Sequence, residues 1–202
     1  MFISFDGVDG VGKSTQIRLF CQWLDELGKR HVVCRDPGAT PLGEKIRQLL
    51  LERHGMRIDR RSEMLLYMAA RAQLVDEVIR PALADGMTVI SDRFLLANVV
   101  YQAHAGGLSV ESTWQVGAVA TDGLVPDLTL LLDMDVDAAF ARLGGEHDRM
   151  EAQGVGYLKR VRDGFLKEAQ QRPDAIRLID ASQSIESIHA QIRQVTAPIL
   201  CR

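Results

Sequence analysis

Gly7-Val8-Asp9-Gly10-Val11-Gly12-Lys13-Ser14 satisfies the pattern G-x-x-x-x-G-K-[ST] in full and stands directly after the apolar run Phe2-Ile3-Ser4-Phe5. In such a loop, glycines let successive backbone N–H groups turn inward around phosphate oxygens, Lys13 reaches the outer phosphates, and the Ser14 hydroxyl can ligate Mg²⁺. The helix expected from Ser14 onward adds its positive end to the same place. The plain alternative is a glycine-rich strand-to-helix turn with a solvated lysine, against which the strand before and the helical period after both argue. The loop alone does not choose between a kinase, a GTP switch and a motor, because one fold hosts many functions.

A second group follows the apolar stretch Met87-Thr88-Val89-Ile90-Ser91. It is Asp92-Arg93, an acid and a base at the carboxyl end of a buried strand, where an α/β sheet binds ligands. Asp92 suits Mg²⁺, directly or through water, and the planar fork of Arg93 suits a phosphate; the alternative is an ion pair closing the strand. Tyr67 and Arg71 stand four apart and share a helix face, as a stacked base beside a guanidinium requires, or as a core aromatic beside a surface charge does. Asn98 and Tyr101 fall in the turns after Arg93, where an amide offers paired donor and acceptor groups to a base edge.

Positioning these residues needs strands that end at them. Apolar runs of strand length alternate with segments of helical period: 2–5, 14–27, 31–35, 41–54, about 62–84 and 87–91. Helices at 94–105 and 109–122, a strand at Leu128–Leu132, helices near 136–143 and 156–171, a strand at Ile176–Ile179 and a final helix complete the series. Ser14-Thr15 open the first helix and Gly28 closes it; Thr40-Pro41 start another; Gly86 follows the long one. The alternation predicts an α/β fold with three α/β/α layers, a five-stranded parallel sheet and helices on both faces. Gly144–Glu151 breaks the pattern and reads either as a loop over a site or as a solvated connection.

Length and charge bound the rest. The 202 residues suit one domain. With 24 Lys+Arg against 27 Asp+Glu, the balance gives no global attraction to nucleic acid or an anionic membrane, so phosphate-binding charge must be local. Cys21, Cys34 and Cys201 are widely spaced without a Cys-x-x-Cys pair, which argues against a disulfide framework or zinc site and for a reducing cytoplasm. Neither a signal-peptide layout nor an apolar run of membrane-spanning length is visible.

In order along nearly the whole chain, the motifs are Phe5–Thr15, Arg35-Asp36-Pro37-Gly38-Ala39-Thr40, Tyr67-Met68-Ala69-Ala70-Arg71 and Asp92-Arg93-Phe94 with Asn98, Tyr101 and Gln102. Asp148-Arg149-Met150-Glu151 and Ile179-Asp180-Ala181-Ser182-Gln183 follow. Together they resemble the bacterial thymidylate kinases. The resemblance implies a P-loop kinase fold with a short lid at about 143–154, a homodimer, and transfer of the γ-phosphoryl of ATP to dTMP with Mg²⁺, in dTTP supply. It implies that Gly7 to Thr15, with Gly10, Val11 and Gly12 between, hold ATP, joined by Arg142 over the adenine and by Gln183. Tyr67 is implied to stack on thymine, Arg71 to contact the base, Arg93 the acceptor phosphate, and Asn98 the thymine edge, with Gln102 beside it. Tyr101 is implied to sit against the sugar carbon that lacks a hydroxyl, and Asp9 to serve the 3′-hydroxyl and metal region. Val8, Gly10 and Val11 leave no arginine in the loop, so the resemblance assigns the catalytic arginine to Arg149.

The chain departs from the family pattern at Tyr67, usually Phe, at Asp36-Pro37-Gly38-Ala39, usually Glu-Pro-Gly-Gly, and at Ala97 and Val99, where polar residues are common. Two other functions also use such a loop: a related kinase with a changed acceptor, for which a nucleoside would leave Arg93 without a phosphate, and a nucleotide switch or ATP-hydrolysing module without an acceptor. A GTP switch would want an Asn-Lys-x-Asp motif, which the sequence lacks.

Overall fold

In the computed structural model, which describes residues 1–52, 56–142 and 154–200, five strands form one sheet. They are β1 (Phe2–Asp6), β2 (His31–Arg35), β3 (Thr88–Asp92), β4 (Leu128–Asp133) and β5 (Ile176–Asp180), in the order β2-β3-β1-β4-β5. All pairings are parallel, with Phe5 opposite Asp92 and Ser4 opposite Thr129. This places the carboxyl ends of β1 and β3, which carry the phosphate loop and Asp92-Arg93, side by side.

Period-two alternation divides the core between the two faces. From β1, Ile3 and Phe5 join Phe20, Leu24, Leu130 and Phe165, whereas Phe2 joins Met68, Leu74, Val89 and Phe94 on the other side. Helix α1 (Lys13–Glu26) buries Ile17, Phe20 and Leu24, spaced three and four apart. Helix α2 (Pro41–Leu51) begins as its sequence predicts, with Thr40 accepting from the Gly43 amide at 2.9 Å and proline in the first turn.

Two helices expected to be continuous are not wound uniformly. The long one is α3 (Arg60–Leu74), then a π-helical turn over Val75–Ile79, then α4 (Arg80–Ala84). Pro81 has no N–H to close an α-helical bond onto Glu77, and its ring crowds that carbonyl, so the wider winding just before it relieves a conflict built into the sequence. The helix after β3 is α5 (Leu95–Asn98) followed by a π-helical segment, Val99–His104, that carries Tyr101 and Gln102. The remaining helices are α6 (Val110–Thr121), α7 (Val136–Ala141), α8 (Val155–Gln171) and α9 (Ile185–Leu200), close to their expected bounds. Among the described residues, no helix is long and apolar enough to cross a membrane.

Candidate active site

The loop between β1 and α1 is shaped by its glycines. A β-carbon on Gly10 (φ 85°) would lie 2.1 Å from the Ala139 carbonyl oxygen of α7, so only glycine allows this approach. Gly12 (φ 94°) occupies the N-cap position, and no side chain caps the helix there. Ser14 and Thr15 therefore lie inside the first turn rather than opening it, and the first amides of α1 remain available to an anion. Lys13 is buried and reaches back across the loop, donating to the carbonyl oxygens of Val8 (2.9 Å) and Gly7 (3.2 Å) and lying 3.5 Å from Asp9 Oδ1.

Arg93 binds this loop to β3. It adopts a left-handed backbone (φ 67°), a conformation that costs free energy for a residue with a β-carbon and recurs at functional sites. Its guanidinium donates to Gly7 O at 2.8 Å and to Asp9 Oδ1 at 2.6 Å, and lies 5.2 Å from the centre of the Tyr101 ring. Burial alone would raise the Asp9 carboxyl, but Arg93 and then Lys13 hold it well below the usual carboxylate range. Burial pulls the Lys13 ammonium down, Arg93 adding to it. Burial pushes Asp6, which accepts from Ser4 Oγ at 2.6 Å, up to about 6, against the Ser4 bond and the Arg93 and Lys13 charges.

The strand-end ion pair between Asp92 and Arg93 is not what forms, since Arg93 pairs with Asp9. Asp92 Oδ1 is instead buried without a hydrogen-bond partner. With Ser14 exposed nearby on the same cavity, this orphaned oxygen and the hydroxyl are a donor set that fits Mg²⁺, a hard cation taking oxygen ligands. When bound, the ion would neutralise charge on the phosphate oxygens.

Two cavities meet at Arg93. One, of about 390 Å³, is lined by Gly10, Gly12, Lys13, Ser14, Thr15 and Arg142. The other, narrower at about 90 Å³, is lined by Tyr67, Arg71, Phe94, Asn98, Tyr101 and Gln102. Asp9, Asp36, Arg47 and Arg93 line both, so the two spaces share one charged wall.

On this helix face Arg71 is buried while Tyr67 remains partly exposed, the reverse of a core aromatic beside a surface charge. It donates to Asp36 Oδ2 at 2.6 Å and to Asn98 Oδ1 at 3.1 Å, and its guanidinium lies 5.5 Å from the Phe94 ring centre. Asn98 Nδ2 in turn donates to Gln102 Oε1 at 2.6 Å, and Gln102 Nε2 to Glu63 Oε1 at 2.9 Å.

The structure thus brings together Asp9, Lys13, Arg93 and Tyr101, and beside them Tyr67, Arg71, Asn98 and Gln102. Val8 and Val11 contribute side chains to the core rather than to a cavity. Gln183 is exposed, donates to Asp180 Oδ2 at 2.9 Å and lines neither cavity. Arg149 lies outside the described residues, as do 143–153 of the expected lid. Sequence reasoning did not single out Asp36, Arg47 or Glu63 as site residues. Asp36 stands inside the Arg35–Thr40 motif, and Glu63 stands four before Tyr67 and eight before Arg71 on one helix face, which is the signal the sequence offers.

A family model described as thymidylate kinase matches residues 5–192. The chain belongs to the thymidylate kinase family. It is 46% identical over 193 residues to a thymidylate kinase of Rhodopirellula baltica, covering 96% of this chain and 78% of that one. To a thymidylate kinase of Symbiobacterium thermophilum it is 45% identical over 203 residues, covering 100% and 95%. Among solved structures, the thymidylate kinase of Ehrlichia chaffeensis superposes with a TM-score of 0.81 at 29% identity, covering 98% of each chain. As a thymidylate kinase, the chain is a nucleoside monophosphate kinase that transfers the γ-phosphoryl of ATP to dTMP with Mg²⁺ as cofactor, the sheet and phosphate loop being those of the P-loop kinase fold.

Proposed function

We propose that ATP occupies the larger cavity and dTMP the smaller, and that the wall they share is where the phosphoryl group passes. The sharing of Arg93 by both cavities carries this reading, because a donor γ-phosphate on Lys13 and an acceptor phosphate on Arg93 would then be neighbours. In this reading Gly7 to Thr15 hold the triphosphate, and Ser14 and Asp92 hold Mg²⁺. Arg142 lies toward the adenine. Arg93, supported by Arg47, binds the acceptor phosphate, Asp9 sets the guanidinium in place, Tyr67 and Phe94 enclose the base, and Arg71, Asn98 and Gln102 read its edge. Tyr101 stands at the sugar. The work is positioning and charge neutralisation, which is what phosphoryl transfer asks of a protein.

From the resemblance we assign Arg149 as the catalytic arginine, Gln183 to the ATP side, and 143–154 as the lid of a single domain spanning 1–202. We infer a homodimer, supported by the exposed Leu42, Leu65 and Val119 on α2, α3 and α6, and a cytoplasmic enzyme, supported by the free Cys21 and buried Cys34.

Equilibrium binding of dTMP and thymidine to the wild type and to Arg93→Ala tests the assignment of the shared wall. The expected result is a preference for dTMP that falls about 10²-fold in the variant, as for a charged hydrogen-bond partner removed from a buried phosphate. An equal preference in both proteins would move the acceptor phosphate elsewhere.

A further inference from the structure

The acceptor cavity is edged by one continuous chain of hydrogen bonds, and its two ends have fixed chemistry. Arg71 can only donate and an ionised Glu63 can only accept. Between them stand two amides, and an amide can turn either way. With Arg71 donating to Asn98 Oδ1, the Asn98 nitrogen must face Gln102; with Glu63 accepting from Gln102 Nε2, the Gln102 oxygen must face Asn98. The two ends therefore demand the same direction.

Each amide spends one donor and one acceptor on the chain and keeps one of each. Both amides line the cavity, so the direction decides where along the pocket an oxygen stands and where an N–H stands. A thymine edge presents an N3–H donor beside the O4 acceptor, whereas cytosine presents an N3 acceptor beside an N4 amino donor. Reversing the amides would exchange the pattern suited to one for the pattern suited to the other.

Glu63 does not line the cavity, yet it is fully buried on α3, and the Oε1 that accepts from Gln102 also accepts from Arg60 at 3.3 Å. Burying a carboxylate is costly unless it is paired, and here Gln102 and Arg60 supply the partners. We propose that Glu63 is a positioning residue for base choice: as the acceptor end of the Arg71–Asn98–Gln102 chain, it locks Gln102 in the orientation that accepts N3–H of thymine and rejects cytosine. This rests on the reading of the smaller cavity as the dTMP site.

The test is the ratio of kcat/KM for dTMP to that for dCMP. Being a ratio, it does not depend on the fraction of folded enzyme. In Glu63→Met, which keeps the bulk but removes the acceptor, the ratio is expected to fall about tenfold or more, through a raised KM for dTMP with the KM for ATP unchanged. Glu63→Gln retains an oxygen for Gln102 while Arg71 still sets Asn98, so it is expected to keep the ratio within about threefold. Should Glu63→Met yield no folded protein, Glu63→Asp withdraws the same carboxylate from Gln102 by one methylene and is expected to lower the ratio in the same direction. A selective wild type whose Met and Asp variants stay equally selective overturns the role of Glu63 alone. A Gln variant that loses selectivity as fully as Met overturns it too, since charge or packing would then be what matters. A wild type indifferent to dTMP and dCMP overturns the reading of the cavity, and this inference with it.

Discussion

Asp9 and Arg93 meet at 2.6 Å across the carboxyl ends of β1 and β3, tying the phosphate loop to the neighbouring strand. The contact explains why Arg93 tolerates a left-handed backbone: that turn sends its side chain over Tyr101 and back onto Gly7 and Asp9 rather than toward Asp92. It also gives Asp9 two cations, Lys13 in the wall of the larger cavity and Arg93 in the wall that both cavities share. In the proposed reading, a single carboxylate thus spaces the two groups assigned to the substrates' phosphates.

Replacing Lys13 by Ala is expected to reduce turnover to the limit of detection and to weaken ATP binding. No other lysine lies in the loop, and the ammonium is held across it by the Gly7 and Val8 carbonyls. Steady-state kinetics and ATP titration measure both effects. Turnover near that of the wild type would remove Lys13 from the phosphate site.

Arg149→Ala is expected to lower kcat by about 10³-fold or more with a smaller effect on dTMP affinity, the pattern of a group that acts on the transferring phosphoryl rather than on the bound acceptor. Single-turnover kinetics beside dTMP binding separate the two quantities. An unchanged kcat would pass the role to another arginine, Arg142 first.

Asp6 gives stability a pH dependence of unusual sign for a carboxylate. Its proton is held more tightly in the folded protein, at about 6 against 3.8, so its contribution favours the folded state below pH 3.8 and is lost as pH rises through about 6. Asp9, held low, acts the other way and withdraws its contribution as pH falls. Urea unfolding of the wild type and Asp6→Asn at several pH values isolates the first effect. Relative to the variant, the wild type should lose roughly 2 kcal/mol between pH 4 and 7, at about 1.4 kcal/mol per pKa unit over the part of the titration that lies above pH 4. A difference that does not change with pH would show that Asp6 is not held protonated.

The sheet and the phosphate loop were legible because their signals are contiguous: strand, glycines, lysine and helix follow one another within a few residues of Phe2. Arg71 was legible as a candidate but not as a buried one. Its partners Asp36 and Asn98 lie 35 and 27 residues away, and a sequence shows a charge without showing what neutralises it. Glu63 shares a face with Tyr67 and Arg71, yet an acid at that spacing has no meaning until Gln102, 39 residues on, is folded against it. Arg93 was read correctly as a strand-end cation, but the choice between Asp92 and Asp9 as its partner depends on one positive φ. The π-helical turns were hidden for a related reason: hydrophobic period tolerates them, and Pro81 announces only that something must give.

Occupancy of the two cavities by a phosphoryl donor and a thymidine monophosphate acceptor, on either side of Arg93, is the expected arrangement. It is tested most directly by ADP formation from Mg-ATP with dTMP, dUMP, dCMP, dGMP, AMP, thymidine or no acceptor. The predicted result is turnover with dTMP well above that with dCMP, AMP or thymidine, and little ADP without an acceptor. ADP release independent of acceptor, or dCMP or AMP used better than dTMP, would contradict it.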